Sequence, residues 1–184
     1  IHSNKFIFIN KYSKYLKRKK ADAVITDIPK LPIAILTADC APILIYDKQK
    51  KMIAAIHAGW KGAYKGIISK VINFMIKKGC EKKNIVAVIG PCIAQKSYNV
   101  KKGFKTKFLK KDKRNKVFFI KRKNIIYFDL SKYIKLQLKL LKITNLDTIN
   151  IDTFPKKNNF FSARRSLHLN HDDYGRNISL IMIN

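Results

Sequence analysis

Two short apolar runs, Ile43–Tyr46 and Met52–Ile56, flank the polar stretch Asp47-Lys48-Gln49-Lys50-Lys51, and this arrangement constrains the chain more than any other. Runs this short and rich in β-branched residues read as strands. A connection of hairpin length makes them antiparallel. The hairpin has chemically distinctive ends. Cys40, within Thr37-Ala38-Asp39-Cys40-Ala41-Pro42, precedes the first strand, and His57, within Ile56-His57-Ala58-Gly59-Trp60-Lys61-Gly62, follows the second. Counting outward from the turn puts Cys40 and His57 within about one residue of register, roughly 5–8 Å apart. A thiol and an imidazole so placed are either a metal site or a nucleophile–base pair. The small residues Ala58 and Gly59 leave room beside His57 for a ligand or an ion.

The rest of the composition narrows the class. A chain of 184 residues that is 47% hydrophobic suits one domain with a substantial core and is not disordered. No apolar run approaches the eighteen or so residues that a transmembrane helix needs, so no membrane partner is expected. No signal peptide is visible, and the chain starts at Ile1 rather than Met. The three cysteines are single, without a CxxC pair, which fits reduced thiols in a cytoplasm better than a disulfide framework. The net charge of +29 invites polyanions. The lysines, however, are spread over every segment of a Lys-, Ile-, Asn- and Phe-rich chain, with clusters at Tyr15–Lys20, Lys101–Lys116 and Lys121–Lys123. Such a surface attracts polyanions loosely and steers small anions such as phosphate inward. A specific nucleic-acid module needs interleaved surface aromatics or a groove-entering helix. The Phe and Tyr residues here fall mostly on apolar faces, so no specific nucleic-acid partner is expected.

Along the chain, Phe6–Ile9, Ala23–Thr26, Pro32–Leu36 and Ile85–Ile89 are predicted strands, and Lys11–Lys20 a charged loop or short helix. Tyr64, Ile67, Ile68, Val71, Ile72 and Met75 recur at helical spacing and predict one helix over Gly62–Lys78, stopped by Gly79. Lys102–Lys111 is a predicted helix, with Phe104 and Phe108 one turn apart. Val117–Ile120 and Ile125–Phe128 form a second hairpin. Leu130–Leu141 is an amphipathic helix that Asp129 or Ser131 caps. Leu146–Thr153 and Ile178–Ile183 complete the strands. Hairpins among alternating strands and helices imply mixed sheets in an α+β fold. Pro155–Asn177 is the one long connection. It carries Phe160-Phe161-Ser162-Ala163-Arg164-Arg165 and then His168 and His171. Adjacent arginines beside aromatics can clamp a phosphate or carboxylate.

Four stretches in this order, TADCAPILIYD, IAAIHAGWKGAYKGI, IGPCIAQKSYNV and FFSARR followed by YGRNIS, resemble the motifs of the multicopper-polyphenol-oxidase (laccase-like) family. That group includes purine nucleoside phosphorylases. Ile1-His2-Ser3-Asn4-Lys5 resembles the tail of a further motif, which makes this chain one domain over residues 1–184, lacking the family's N-terminal segment. The resemblance implies a four-layer α/β/β/α fold with mixed sheets, related to cysteine hydrolases. It implies a zinc ion held by His2, Cys40 and His57 with a fourth position open, the pattern of a catalytic zinc; copper is the alternative metal. It implies phosphorolysis of adenosine, inosine, guanosine or methylthioadenosine, together with adenosine deamination. Asp39 would then carry a proton beside Cys40 and His57, and Lys61, Arg164 and Arg165 would position phosphate. The partners are a nucleoside and phosphate. Asn99 stands where the family has Glu, and Lys61 where Arg is common. Cys92, in Gly90-Pro91-Cys92, reads as packing. Three rival readings accompany this one: a metal-free Cys40–His57 hydrolase or amidase that edits peptidoglycan precursors, a copper-dependent phenol oxidase, and a basic nucleic-acid-binding module.

Overall fold

The computed structural model describes residues 2–10, 20–171 and 173–184. Most of the predicted segment Lys11–Lys20 therefore lies outside the described residues. Among the described residues, eleven strands build the sheets: β1 (Phe6–Ile9), β2 (Ala23–Thr26), β3 (Ile33–Thr37), β4 (Ala41–Asp47), β5 (Met52–Ala58), β6 (Ile85–Ile89), β7 (Asn99–Val100), β8 (Phe119–Arg122), β9 (Ile125–Phe128), β10 (Asn145–Thr148) and β11 (Asn177–Ile181). Five helices accompany them among the same residues: α1 (Trp60–Tyr64), α2 (Ile67–Lys77), α3 (Lys102–Lys111), α4 (Leu130–Leu140) and α5 (Ala163–His168).

The largest sheet has the order β1-β2-β5-β4-β6-β10. Its inner pairs, β2 with β5, β5 with β4 and β4 with β6, are antiparallel, while the outer pairs, β1 with β2 and β6 with β10, are parallel. The molecule is thus a mixed α+β fold with several sheets. In the central hairpin Asp47 faces Met52 and Pro42 faces His57. The turn is held by Asp47, whose Oδ1 accepts the N–H groups of Gln49 and Lys50 at 2.9 and 2.8 Å.

β5 is apolar from Met52 through Ile56 because both of its faces are covered there, and His57 near its end is the polar exception. Ala54 and Ile56 face a core shared with Ile68, Ile72 and Met75 of α2 and Ile134 and Leu138 of α4. Ile53 and Ala55, pointing the other way, pack with Ile33, Ile35 and Ile183 under the antiparallel β3–β11 pair. β7, β9 and β8 form a third, antiparallel sheet. Its Phe119 and Phe128 join Phe104 and Phe108 of α3 in an aromatic cluster, where Phe104 and Phe108 stack with centroids 4.8 Å apart. Trp60 meets Phe104 edge-on at 4.8 Å, so the cluster fixes one wall of the site.

Five departures from the predicted elements have identifiable causes. The predicted helix over Gly62–Lys78 is two helices, because Gly66 adopts a left-handed φ of 82° that only glycine takes cheaply. Val117 belongs to a 3-10 turn over Lys113–Phe118, capped when Asp112 accepts the Arg114 N–H, so β8 starts at Phe119. β10 stops at Thr148, five residues earlier than predicted, because it pairs with only four residues of β6. β3 runs on to Thr37 because that residue faces Asn177 of β11, and β11 ends at Ile181 opposite Ile33. α4 has the expected cap, with Asp129 accepting the Lys132 N–H at 2.8 Å. Among the described residues no helix is long and apolar enough to cross a membrane.

Candidate metal centre and adjoining cavity

The hairpin brings the thiol and the imidazole to one sheet end, but two residues out of register rather than the expected one, because β4 takes in Asp47, which faces Met52, and β5 runs on through His57 to Ala58. Because Pro42 pairs with His57 and Ala41 with Ala58, Cys40 emerges at the same sheet end as His57. His2 arrives from the start of β1. Each of His2, Cys40 and His57 offers a donor atom lying within 4.8 Å of the other two. Cys40 Sγ is 3.5 Å from His2 Nε2, and the two imidazoles meet edge-on with centroids 5.2 Å apart.

Asp22, just ahead of β2, organises this corner. Its carboxylate accepts the N–H of His2 at 3.0 Å and the N–H of Ser3, while its backbone carbonyl accepts the His57 N–H at 2.7 Å. One buried acid thereby ties two of the three donors together. No sequence motif marked it; the available signal was that Asp22 is the first acidic residue of a lysine-rich chain, set directly against a strand.

These residues fit a metal ion. His57 Nε2 is buried without a hydrogen-bond partner, which is costly for a polar atom unless something else satisfies it. A Cβ added to Gly59 would lie 2.7 Å from Cys40 Sγ and 2.8 Å from His2 Cδ2, so only glycine leaves the donors room to converge. A span of 4.8 Å is one that an ion with bonds of about 2.0–2.3 Å closes with a small side-chain adjustment. The electrostatics agree. Burial first, and Asp39 second, push the Cys40 thiol up to about 12. Burial, reinforced by His2, pushes His57 down to about 4. Without a cation the pair is therefore a neutral thiol beside a neutral imidazole, unlike the thiolate–imidazolium of a cysteine hydrolase.

Asp39 reaches this corner differently from the expected proton carrier. Held at a left-handed φ of 78°, its carboxylate accepts hydrogen bonds from the Thr153 hydroxyl at 2.7 Å, the Ser162 hydroxyl at 3.0 Å and the Arg164 N–H at 2.7 Å. It ties the strand end bearing Cys40 to the connection after β10. That connection contains α5, a helix missed in the sequence, whose cap is Ser162 Oγ accepting the Arg165 N–H at 3.1 Å. The structure separates the two arginines. Arg164 sends Nη1 to Asn99, 3.0 Å from its carbonyl oxygen, and lies over the Tyr98 ring at 5.4 Å. Arg165 donates to the carbonyls of Thr153, Phe154 and Phe160 at 3.2, 2.6 and 2.5 Å, so its guanidinium holds the connection together. Lys61 is exposed on α1, with Nζ 5.7 Å from the Trp60 ring.

A cavity of about 920 Å³ opens beside this corner, walled by Trp60, Tyr98, Phe104 and Arg164 among others. It adjoins the donors through Trp60, which follows Gly59, and through Tyr98, whose hydroxyl is raised above its ordinary range by burial and then by the Cys40 sulfur. His168 lines the cavity with its ring against Phe154, and His171 is exposed; neither joins the three donors. Cys92 is buried, as its packing reading requires, and bridges Asp152 in parallel fashion.

Comparison with known proteins places this geometry in a family. The chain belongs to the family described as multi-copper polyphenol oxidoreductase laccase, which matches residues 1–184. A Rickettsia conorii protein named purine nucleoside phosphorylase is 38% identical over 180 residues, covering 97% of this chain and 73% of the relative. A Rickettsia prowazekii protein of the same name is 37% identical over 171 residues, covering 92% and 70%. The crystal structure of the Bacillus licheniformis hypothetical protein YfiH superposes with a TM-score of 0.86 at 27% identity, over all of this chain and 72% of that one.

Proposed function

We propose that this chain acts as a zinc-dependent purine nucleoside phosphorylase whose metal is held by His2, Cys40 and His57. The observation that carries the proposal is the convergence of those three donors within 4.8 Å beside an aromatic and cationic cavity. The names of the Rickettsia relatives supply the substrate class. A thiolate, two imidazoles and an open position suit zinc over copper as resident metal. When bound, such an ion acts as a Lewis acid and lowers the pKa of a water to about 7.

The chain's own residues do the remaining work. Trp60, Tyr98 and Phe104 offer rings against which a purine stacks. Arg164, anchored by Asn99 and Tyr98, presents charge-assisted donors to phosphate oxygens. Lys61 adds positive charge from α1. Phosphate held next to the ribose C1′ replaces the purine there, and most of the rate gain comes from positioning. In this assignment Asp39 and Arg165 position the connection that carries Arg164. Adenosine deamination uses the same cavity with water in place of phosphate. A single domain in four α/β/β/α layers, cysteine-hydrolase-like in outline, is the architecture proposed with this function; its support is the stacking of α2 and α4, the large sheet and the β3–β11 pair.

The test is incubation of the full-length protein with adenosine, with and without phosphate, alongside metal analysis. Adenine released only with phosphate, from protein holding about one zinc per chain, is expected. Inosine formed without phosphate assigns deamination instead. Zinc-loaded protein that releases neither overturns the proposal.

A further inference from the structure

We propose that Cys40 and Cys92 form an oxidation site, at which a peroxide joins the two thiols in a disulfide and thereby takes Cys40 out of the metal set. The pairing stands on the backbone; its consequence for a metal rests on the role of Cys40 proposed above. β4 and β6 run antiparallel, with Ile43 facing Ile89. The register continues past the end of this ladder. Gly90 donates its N–H to the Pro42 carbonyl at 2.9 Å, and Ile93 donates to the Asp39 carbonyl at 3.0 Å. Those two bonds bracket Cys92 and put it opposite Cys40. Residues so opposed have Cα atoms roughly 4.5–5.5 Å apart, inside the span of about 4.4–6.8 Å that a disulfide bridges.

The sulfurs are neighbours as well as the backbones. Burial first, then Asp129 and then Cys40 push the Cys92 thiol up to about 12. Both sulfurs also act on the hydroxyl of Tyr98, on the cavity wall. The two thiols differ in access. Cys40 is half-buried beside the cavity, whereas Cys92 is 6% exposed. An oxidant small enough to enter therefore meets Cys40 first. With hydrogen peroxide, the Cys40 sulfur attacks one oxygen, the O–O bond breaks, and the other oxygen leaves as water, so Cys40 becomes a sulfenic acid. The Cys92 sulfur then forms the S–S bond, and the sulfenic hydroxyl leaves with the thiol proton as a second water. The electron pair lost by the two sulfurs is the pair that reduces the peroxide. A sulfenic acid without such a partner goes on to the irreversible sulfinic acid, so Cys92 makes the oxidation of Cys40 reversible. Cys80, the third cysteine, has no share in this pairing. It lies at the turn end of the hairpin, its thiol against Met52 Sδ at 3.9 Å.

The full-length protein, incubated with zinc, is treated with an equivalent of hydrogen peroxide. Peptide mapping without reduction is expected to show Cys40 joined to Cys92, while Cys80 still accepts an alkylating agent. A chromogenic chelator should record about one zinc released per disulfide, and a dithiol should restore both thiols and zinc binding. Cys92→Ala and Cys92→Ser should each hold zinc as wild type does. Peroxide should carry Cys40 of either variant to the sulfinic acid, which the dithiol does not reverse. Wild-type protein that forms no Cys40–Cys92 cross-link, or that keeps its zinc once the cross-link has formed, overturns the inference. Full recovery of the Cys92 variants under the dithiol overturns it too. Protein that forms the cross-link but never takes up zinc sinks the metal reading and leaves the pairing standing.

Discussion

Cys40 Sγ lies 3.5 Å from His2 Nε2, although 38 positions separate them in the chain. The contact exists because two independent devices end at one corner: the β4–β5 register that delivers Cys40 with His57, and the Asp22 carboxylate that gathers the backbone of His2 and Ser3. Neither device alone makes a site.

Removing a donor is therefore expected to empty the centre without unfolding the protein. Cys40→Ser and His57→Ala should each drop bound zinc from about one per chain to near zero. Activity should fall by more than the roughly 10–100-fold typical of outer-shell changes. Elemental analysis and adenosine turnover on the same samples check this; full zinc occupancy in Cys40→Ser would remove the thiol from the metal assignment.

Gly59→Ala tests the crowding directly. The added methyl would stand 2.7 Å from Cys40 Sγ, yet the backbone at Gly59 has an ordinary φ of −71°. The expected outcome is a large loss of zinc affinity with little backbone strain, seen as emptied protein whose metal-free melting temperature stays within a few degrees of wild type.

Proton linkage gives a third prediction. The metal-free protein carries Cys40 as a thiol, pushed up to about 12, and His57 as a neutral imidazole, pushed down to about 4. Binding a metal near neutral pH should release one proton, from Cys40, and the apparent affinity should rise about tenfold per pH unit. Calorimetry in buffers of different ionisation enthalpy counts that proton. His57 also shapes the stability of the metal-free form. Its folded pKa lies below the ordinary value of about 6.5, so its contribution is complete above that value and is lost as pH falls toward about 4. Urea titrations at pH 7 and pH 4.5 should show the loss, and His57→Ala should reduce it.

Asp39→Ala should act at a distance. It leaves the Thr153 and Ser162 hydroxyls and the Arg164 N–H without their shared acceptor, at a cost of about 1–3 kcal/mol. Asp39→Asn keeps one acceptor oxygen and tolerates the left-handed backbone, so it should cost less. Limited proteolysis should cut the connection between β10 and β11 faster in the alanine variant, while zinc stays bound in both.

What the sequence disclosed follows physical lines. β1, β2, β6, α3 and β9 have their predicted bounds because each is a run of one periodicity closed by a breaker. The central hairpin, and the shared sheet end of Cys40 and His57, followed from counting register, although the count missed that β5 continues through His57 and that the two residues stand two positions out of register. Gly66 was hidden because the apolar spacing of α2 continues through Tyr64 as though the helix did. α5 was hidden because its six residues are too few for a periodic face, and it stands on a Ser162 cap and a carboxylate 123 positions away. The roles of Asp22, Arg164 and Arg165 are tertiary. Nothing local distinguishes an arginine that faces a cavity from its neighbour that binds three carbonyls.

The Asp39 tether has a consequence for how the molecule comes into being. It spans 125 positions to reach the Arg164 amide, a closure that local contacts cannot achieve early. A nascent chain that has emerged only as far as the first hairpin displays its sulfur and imidazoles without the wall that Arg164 completes. On the proposed assignment, metal capture would be open to the chain well before substrate capture, and the ion would serve as a folding clamp on the amino-terminal half before it served chemistry.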